Sequence, residues 1–371
     1  MIPQAAPPRR IARFRPEIDA AVSAVLRGPD YILGAAVDAF ETAFARYCGR
    51  GHGIGVASGT DALALTLRAL GTGPGDEVIL PALTFAGSAQ AILQCGALPR
   101  FVEVDAASRC IDPAAVADAV TARTTAIMPV HLFGYPADMP ALMAIAGRHG
   151  LAVVEDCAQS HGATLEGRRL GTFGHAAAYS FYPTKNLGCV GDGGAVVTDD
   201  AALAGRVRSL RAYGFSPGGR VSQTLGFNAR LDEIHAAILL ALLPHCDAGN
   251  AERRAIAARY RAGLAACPSI VLPPEAEGCV HHQFAIAHPD RDRLKEHLAG
   301  AGIGTAVHYA PGLHRHPAFA GGAAHPLPIT ERLSDTLLSL PIQPEVIGDV
   351  ADEVAERIAQ AVLTFAEAGP R

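Results

Sequence analysis

Between residues 54 and 198, short apolar runs alternate with amphipathic segments of roughly ten residues, and few folds accept that rhythm. Runs at 54–57, 77–80, 100–104, 124–130, 151–155, 176–181 and 195–198 have the length and composition of buried strands. Between them, 62–70, 87–94, 114–120 and 139–148 read as helices, and Asp112-Pro113 has the chemistry of an N-cap and first turn. Seven strands joined mostly by helical crossovers predict an α/β fold, its sheet largely parallel and covered on both faces. Helices at 16–26 and 37–47 precede the sheet, the second with Val37, Phe40, Phe44 and Tyr47 on one face. Beyond Asp199 the pattern turns helical, at 201–212, 231–243 and 251–265, with a loop at 214–230 of the length that usually carries function.

A chain of 371 residues is too long for one ordinary core, which predicts two domains. Residues 1–250 form an N-terminal arm and a large domain; residues 251–371 form a bridging helix and a small α+β domain. The small domain mixes strands at 280–287 and 305–309 with helices at 291–298, 330–338 and 351–366. Half the residues are apolar and 18% are charged, as in a well-buried globular enzyme. The net charge of −5, with no long basic block, argues against a nucleic-acid partner. The basic arm (Arg9, Arg10, Arg13, Arg15) reads as a solvated extension. No apolar run reaches membrane-spanning length and no secretory signal opens the chain. Eight scattered cysteines without a C-x-x-C pair read as free, buried thiols, which points to the cytoplasm.

Chemistry gathers around residues 176–194. The apolar run breaks at Pro183 into a loop holding Lys185, then into Gly188, Gly191, Gly193 and Gly194. A lysine just past a buried strand can keep a partly desolvated amine, which loses its proton readily and attacks a carbonyl. The competing reading is a surface loop lysine, the usual fate of lysine. Ligands of parallel α/β sheets sit outside the strand carboxyl ends. Ser58-Gly59-Thr60 falls there, as a phosphate site at a helix start or as a helix capped by Thr60 or Asp61. Asp156 ends a strand and is followed by Gln159 and His161; it could hold a proton on a ring nitrogen or simply begin a loop. Ser180 could also face a phosphate, and Phe85 is core or a stacking surface, with core the commoner role. A lysine, an aspartate and a phosphate-binding helix start at one sheet edge are what pyridoxal phosphate (PLP) requires.

The chain resembles the DegT/DnrJ/EryC1/StrS family of sugar aminotransferases. The matching stretches are YILG at 31–34, Phe40-Glu41, ASGTDAL at 57–63, GPGDEV at 73–78, Thr84-Phe85 and PVHLFG at 129–134. They continue with EDCAQSHG at 155–162, GTFG at 171–174, SFYPTKNLG at 180–188, the glycines at 191–194, GFNAR at 226–230 and His308-Tyr309. The resemblance implies the PLP-dependent transferase fold type I, with Lys185 as Schiff-base lysine and Asp156 as partner of the pyridine nitrogen. It implies that Gly59, Thr60 and Ser180 hold the phosphate, that Phe85 covers the ring and that Gln159 sits near its hydroxyl edge. Asn228 is implied to reach the cofactor phosphate of a neighbouring subunit, making a homodimer with a shared active site. Tyr31, Arg230, His308 and Tyr309 match positions on the substrate side. The implied reaction takes the amino group of glutamate and delivers it to a nucleotide-linked keto-sugar, the motif around Lys185 favouring a dTDP-3-keto-6-deoxyhexose. Lys185 is implied to shuttle the proton between the donor's α-carbon and the cofactor.

Related PLP-dependent sugar dehydratases carry histidine where this chain has Lys185, which argues against that reaction. A PLP-binding regulatory or sensory protein needs the same residues as turnover and stays open. The glycines at 51–55 precede their strand, whereas a dinucleotide fingerprint follows one, so a nicotinamide dehydrogenase is rejected. His308, His314, His316 and His325 are too irregularly spaced for a metal site, and no metal is expected.

Overall fold

The structure is a computed structural model, and it describes residues 1–216, 218–265, 267–323, 325–347 and 351–367. Pro217 of the 214–230 loop, and residues 348–350 and 368–371 of the expected small domain, lie outside the described residues. The strands in chain order are β1 (His52–Val56), β2 (Glu77–Pro81), β3 (Leu98–Val102), β4 (Thr124–Ile127) and β5 (Ala152–Asp156). A hairpin of β6 (Thr164–Leu165) and β7 (Arg168–Arg169) follows, then β8 (Ala176–Ser180) and β9 (Gly194–Thr198). Seven of them form one sheet in the order β1-β9-β8-β5-β4-β2-β3. β9 runs antiparallel to β1 and β8, and every other pairing in that sheet is parallel. The predicted largely parallel seven-stranded sheet is therefore present.

The helices are α1 (Pro7–Arg13), α2 (Arg15–Arg27), α3 (Ala35–Cys48), α4 (Gly59–Ala69), α5 (Ala86–Gln94), α6 (Pro113–Ala119) and α7 (Met139–His149). They continue as α8 (Ala201–Leu210), α9 (Glu233–Leu242) and α10 (Cys246–Leu264). Because strand side chains alternate, each run feeds two cores. Ala176, Ala178 and Val196 pack with α4, α5 and α8 on one face, while Ala177, Tyr179 and Val197 pack with α3 and α9 on the other. Ile79, Ile127 and Val153 continue that second face under α6 and α7. α3 lies close against β1 because position 53 has no side chain: a Cβ there would come within 2.4 Å of the Glu41 carbonyl oxygen. Helix packing thus accounts for glycine in the 51–55 stretch.

The remaining elements are β10 (Phe284–Ala287), α11 (Arg291–Gly300), α12 (Pro328–Thr336), β11 (Leu337–Leu340), α13 (Pro344–Ile347) and α14 (Ala351–Glu367). β10 and β11 pair antiparallel, and Phe284, Ile286, Leu338 and Leu340 share a core with Tyr260 of α10 and Ile358 of α14. The expected helix at 330–338 stops at Thr336, since Leu337–Leu340 pair with β10 and tertiary pairing overrides the helix propensity of leucine. The expected strand at 305–309 contributes one bridge, Ala306 to Ser339. α10 starts at Cys246, five residues before the sequence reading placed it.

The N-terminal arm differs most from expectation. It is not a solvated extension: Ile2 joins the core of β10 and β11, residues 7–13 form α1, and Arg10 is buried. All eight cysteines are free and buried. No described helix is long and apolar enough to cross a membrane.

Candidate active site

The sheet order sets β5 beside β8 with Asp156 opposite Ala178, so Asp156 and Ser180 close two neighbouring strands at the same edge. Asp156 is buried, and its Oδ2 accepts from Ser88 Oγ at 2.8 Å and its Oδ1 from the Ala158 N–H at 3.1 Å. Burial raises its carboxyl above the ordinary range, while these donors and the charge of Lys185 work to keep it ionised. Lys185 follows β8 in a turn closed by its own N–H on the Tyr182 carbonyl at 2.9 Å. Burial pushes its amine down to about 8, with Asp156 pulling the other way. Such an amine is partly neutral near physiological pH and can act as nucleophile or base.

Three histidines feel the charge of Lys185. Burial first, and Lys185 second, lower His161 to about 3 and His308 to about 4, and hold His282 well below the usual imidazole range. His308 Nδ1 lies 2.8 Å from Ser339 Oγ, and His282 Nδ1 lies 3.1 Å from Asn186 Oδ1. His161 packs against the rings of Tyr179 and Phe181 at 5.3 and 5.8 Å. These rings stay neutral, which leaves Asp156 as the anion acting on the lysine.

Beyond β1, Ser58 caps α4: its Oγ accepts from the Asp61 N–H at 3.1 Å and its carbonyl from the Ala62 N–H at 3.0 Å. The cap is Ser58, not Thr60 or Asp61 as the sequence allowed, because the helix begins at Gly59. The N–H groups of Gly59 and Thr60 then belong to the open first turn, where the helix dipole favours an anion. Ser180 closes the other side: a Cβ at position 59 would stand 2.7 Å from the Ser180 Cβ. Thr60 Oγ1 faces the start of α5, where a Cβ on Gly87 would come within 2.7 Å of it.

Phe85 precedes α5 and is 58% exposed, which overturns the core reading of that ring. It stands 5.8 Å from the ring of Tyr309. Tyr309 OH accepts from Gln159 Nε2 at 2.9 Å, and Gln159 Oε1 accepts from the Phe133 N–H at 2.7 Å. Phe85, Tyr309 and Gln159 are thus one connected wall. Arg230 bridges Val56 at the end of β1, and Ile32 bridges Asp232, so Tyr31 and Arg230 come to the same corner. The Arg230 guanidinium lies 5.7 Å from the centre of the Tyr213 ring. Asn228 and Tyr31 are exposed, and no hydrogen bond ties either side chain to Lys185 or Asp156.

Sequence reasoning missed Ser88, His282, Arg10 and Gln343. Ser88 carried a faint signal, a hydroxyl four residues after Thr84 at a helix start, with the two oxygens 3.2 Å apart. Arg10, 175 residues from the lysine it touches, carried none. Three of the loop histidines have separate partners, in Ser339, Glu331 and the Pro311 carbonyl. Among the described residues, His131, Glu155 and Cys157 bring metal-ligand atoms together, but Glu155 already accepts from the N–H groups of Gly171, Phe173 and Gly174.

The residues at this edge fit PLP. The open turn of α4 with Ser180 suits a phosphate, the exposed Phe85 a ring face, the buried Asp156 a pyridine nitrogen and the depressed Lys185 an aldehyde.

The sequence pattern of the DegT/DnrJ/EryC1/StrS aminotransferase family matches residues 13–359. The chain is 48% identical to the dTDP-3-amino-3,4,6-trideoxy-alpha-D-glucose transaminase of Streptomyces venezuelae, over 94% of each chain. It is also 48% identical to the erythromycin biosynthesis sensory transduction protein EryC1 of Saccharopolyspora erythraea, over 92% of this chain and 94% of that one. The crystal structure of Streptomyces venezuelae DesV in complex with a ketimine intermediate superposes with a TM-score of 0.94 at 47% identity, covering 99% of this chain and 98% of that one.

Proposed function

The chain belongs to the DegT/DnrJ/EryC1/StrS aminotransferase family, and on that premise we propose that it is a PLP-dependent nucleotide-sugar aminotransferase. Its substrate is a dTDP-linked 3-keto-6-deoxyhexose, glutamate is the amino donor, and the site is shared across a homodimer. The observation that carries this reading is the pairing of a lysine amine held near 8 with a buried carboxylate at one sheet edge. The transaminase name of the 48% identical relative supports the substrate class.

The first turn of α4, with Gly59, Thr60 and Ser180, binds the cofactor phosphate, and Asn228 reaches across to the partner's phosphate. Phe85 covers the ring, Gln159 holds its hydroxyl edge and Asp156 keeps its nitrogen protonated. Bound there, PLP supplies an aldehyde that carries the amino group and a ring that withdraws electrons from the reacting carbon. Lys185 Nζ would hold the aldehyde, and as a base titrating near 8 its amine would suit moving the proton at the donor α-carbon. Ser88 and the Ala158 N–H donate to Asp156 and favour its charged form against the burial that raises its carboxyl. Tyr31, Arg230, His308 and Tyr309 orient the sugar nucleotide.

The test is borohydride reduction of the PLP-loaded protein followed by peptide mass mapping. The chain has one other lysine, Lys295, and one N-terminal amine, which peptide mapping separates from Lys185. Label on Lys185, absent from Lys185→Ala, supports the reading; label retained on that variant overturns it. Incubation with glutamate and a panel of nucleotide keto-sugars then identifies the aminated position by NMR. The sensory name of the Saccharopolyspora relative favours a second, regulatory reading. Glutamate that fails to convert the bound cofactor to its amine form would select it.

A further inference from the structure

Lys185 lies in a loop between β8 and β9, yet the proposed proton transfer requires its amine at a fixed distance from the reacting carbon. The loop's main chain is gripped from outside, at two consecutive carbonyls. Arg10, 6% exposed, donates Nη1 to the Lys185 carbonyl at 2.7 Å. Gln343, 4% exposed, donates Nε2 to the Thr184 carbonyl at 3.3 Å, and its Oε1 accepts from the Ala6 N–H at 2.8 Å. The Arg10 Nε meets Glu345 Oε1 at 3.2 Å, which ties the arm to α13. Burial works to raise the Glu345 carboxyl, but Arg10 and Arg253 outweigh it and keep it ionised.

The arm is itself anchored along its length. The Ile2 N–H donates to the Gly302 carbonyl at 2.8 Å, Gln4 Nε2 to Gln283 Oε1 at 2.8 Å, and Arg9 Nη1 to the Val346 carbonyl at 3.2 Å. A buried ion pair alone adds little net stability and is often replaceable by apolar residues. Here the same guanidinium also donates Nη1 to the peptide carbonyl of the lysine, so the pair is joined directly to the loop.

We propose that Arg10 and Gln343 are positioning residues that hold the Lys185 loop in register, so that the N-terminal arm is a working part of the active site. The proposal rests on the reading of Lys185 as cofactor anchor. It assigns no contact between Arg10 and substrate; the effect passes through the main chain of Thr184 and Lys185.

The experiment uses the PLP-loaded full chain and three variants. The double variant Arg10→Met/Glu345→Met removes the grip together with its ion-pair partner, leaving Arg253 on the His281 and His282 carbonyls; Gln343→Met removes the second grip, and Gln4→Ala loosens the arm elsewhere. Two quantities are read: the pH midpoint of the lysine-bound cofactor's visible absorbance, and the rate at which saturating L-glutamate bleaches it. The double variant shifts the midpoint by about half a pH unit or more and slows the glutamate step by about tenfold, the scale of a sub-ångström misplacement. Its half-saturating glutamate concentration changes less than about twofold. Gln343→Met moves both readings in the same direction by less, and Gln4→Ala matches the parent.

Parental midpoints and rates in both grip variants, with parental circular dichroism, overturn the proposal, as does an equal shift in Gln4→Ala. If the double variant does not fold, Gln343→Met decides alone. Borohydride label on a residue other than Lys185 in the parent protein defeats the functional reading instead, so the two failures are told apart.

Discussion

Lys185→Met should make the cofactor-free protein more stable near neutral pH while abolishing its chemistry. The lysine amine titrates at about 8 in the fold instead of 10.5, because burial costs its cation more than Asp156 returns. Between those two values the unfolded chain holds a proton that the folded chain has released, so stability rises with pH across that window. Below about 8 both states are protonated and the folded state carries the full cost. The difference of about 2.5 pH units corresponds to roughly 3 kcal/mol at 1.36 kcal/mol per unit. The residue as a whole is half-buried, so about half of that is the expectation. Methionine has similar length and no charge to desolvate. Urea unfolding of the stripped parent and variant at pH 7 should give a gain of about 1–3 kcal/mol for the variant, shrinking to roughly half to two thirds of that by pH 9.5. A variant no more stable than its parent at pH 7, or a gain that does not change with pH, would refute the claim that the lysine is held as a strained cation.

Two further substitutions probe the carboxylate at this site and the turn that carries Tyr31. Asp156→Asn keeps the shape and the acceptor facing Ser88 but loses the charge; circular dichroism should be unchanged and kcat/KM should fall by about a hundredfold or more. Turnover within a few-fold of the parent would remove the electron-sink role of that carboxylate. Glu233 accepts from the N–H groups of Gly34, Ala36 and Val37 at 2.8–2.9 Å, capping α3 from α9 beside the turn that carries Tyr31. Glu233→Ala should therefore cost about 2 kcal/mol in urea unfolding, and a loss below about 0.5 kcal/mol would mean the cap is replaced by water.

The sequence alone determined the alternating elements, the buried free thiols and the identity of Lys185 and Asp156 as the residues to examine, because each is written in neighbouring positions. Apolar period, the Pro183 break and an acid at a strand end are local patterns, and local chemistry reads them directly. The tertiary structure alone decided which ends meet. β5 and β8 become neighbours only through the strand order, and that sets Asp156 beside the loop of Lys185. Phe85 stands exposed although its residue type favours a core, because the wall it joins with Tyr309 and Gln159 is assembled from three distant segments. Leu337–Leu340 become a strand because β10 offers a ladder. Arg10 reaches the peptide of Lys185 because packing folds the chain's first residues against the core of β10 and β11. Such contacts depend on the free energy of the whole packed arrangement, which no window of neighbouring residues contains.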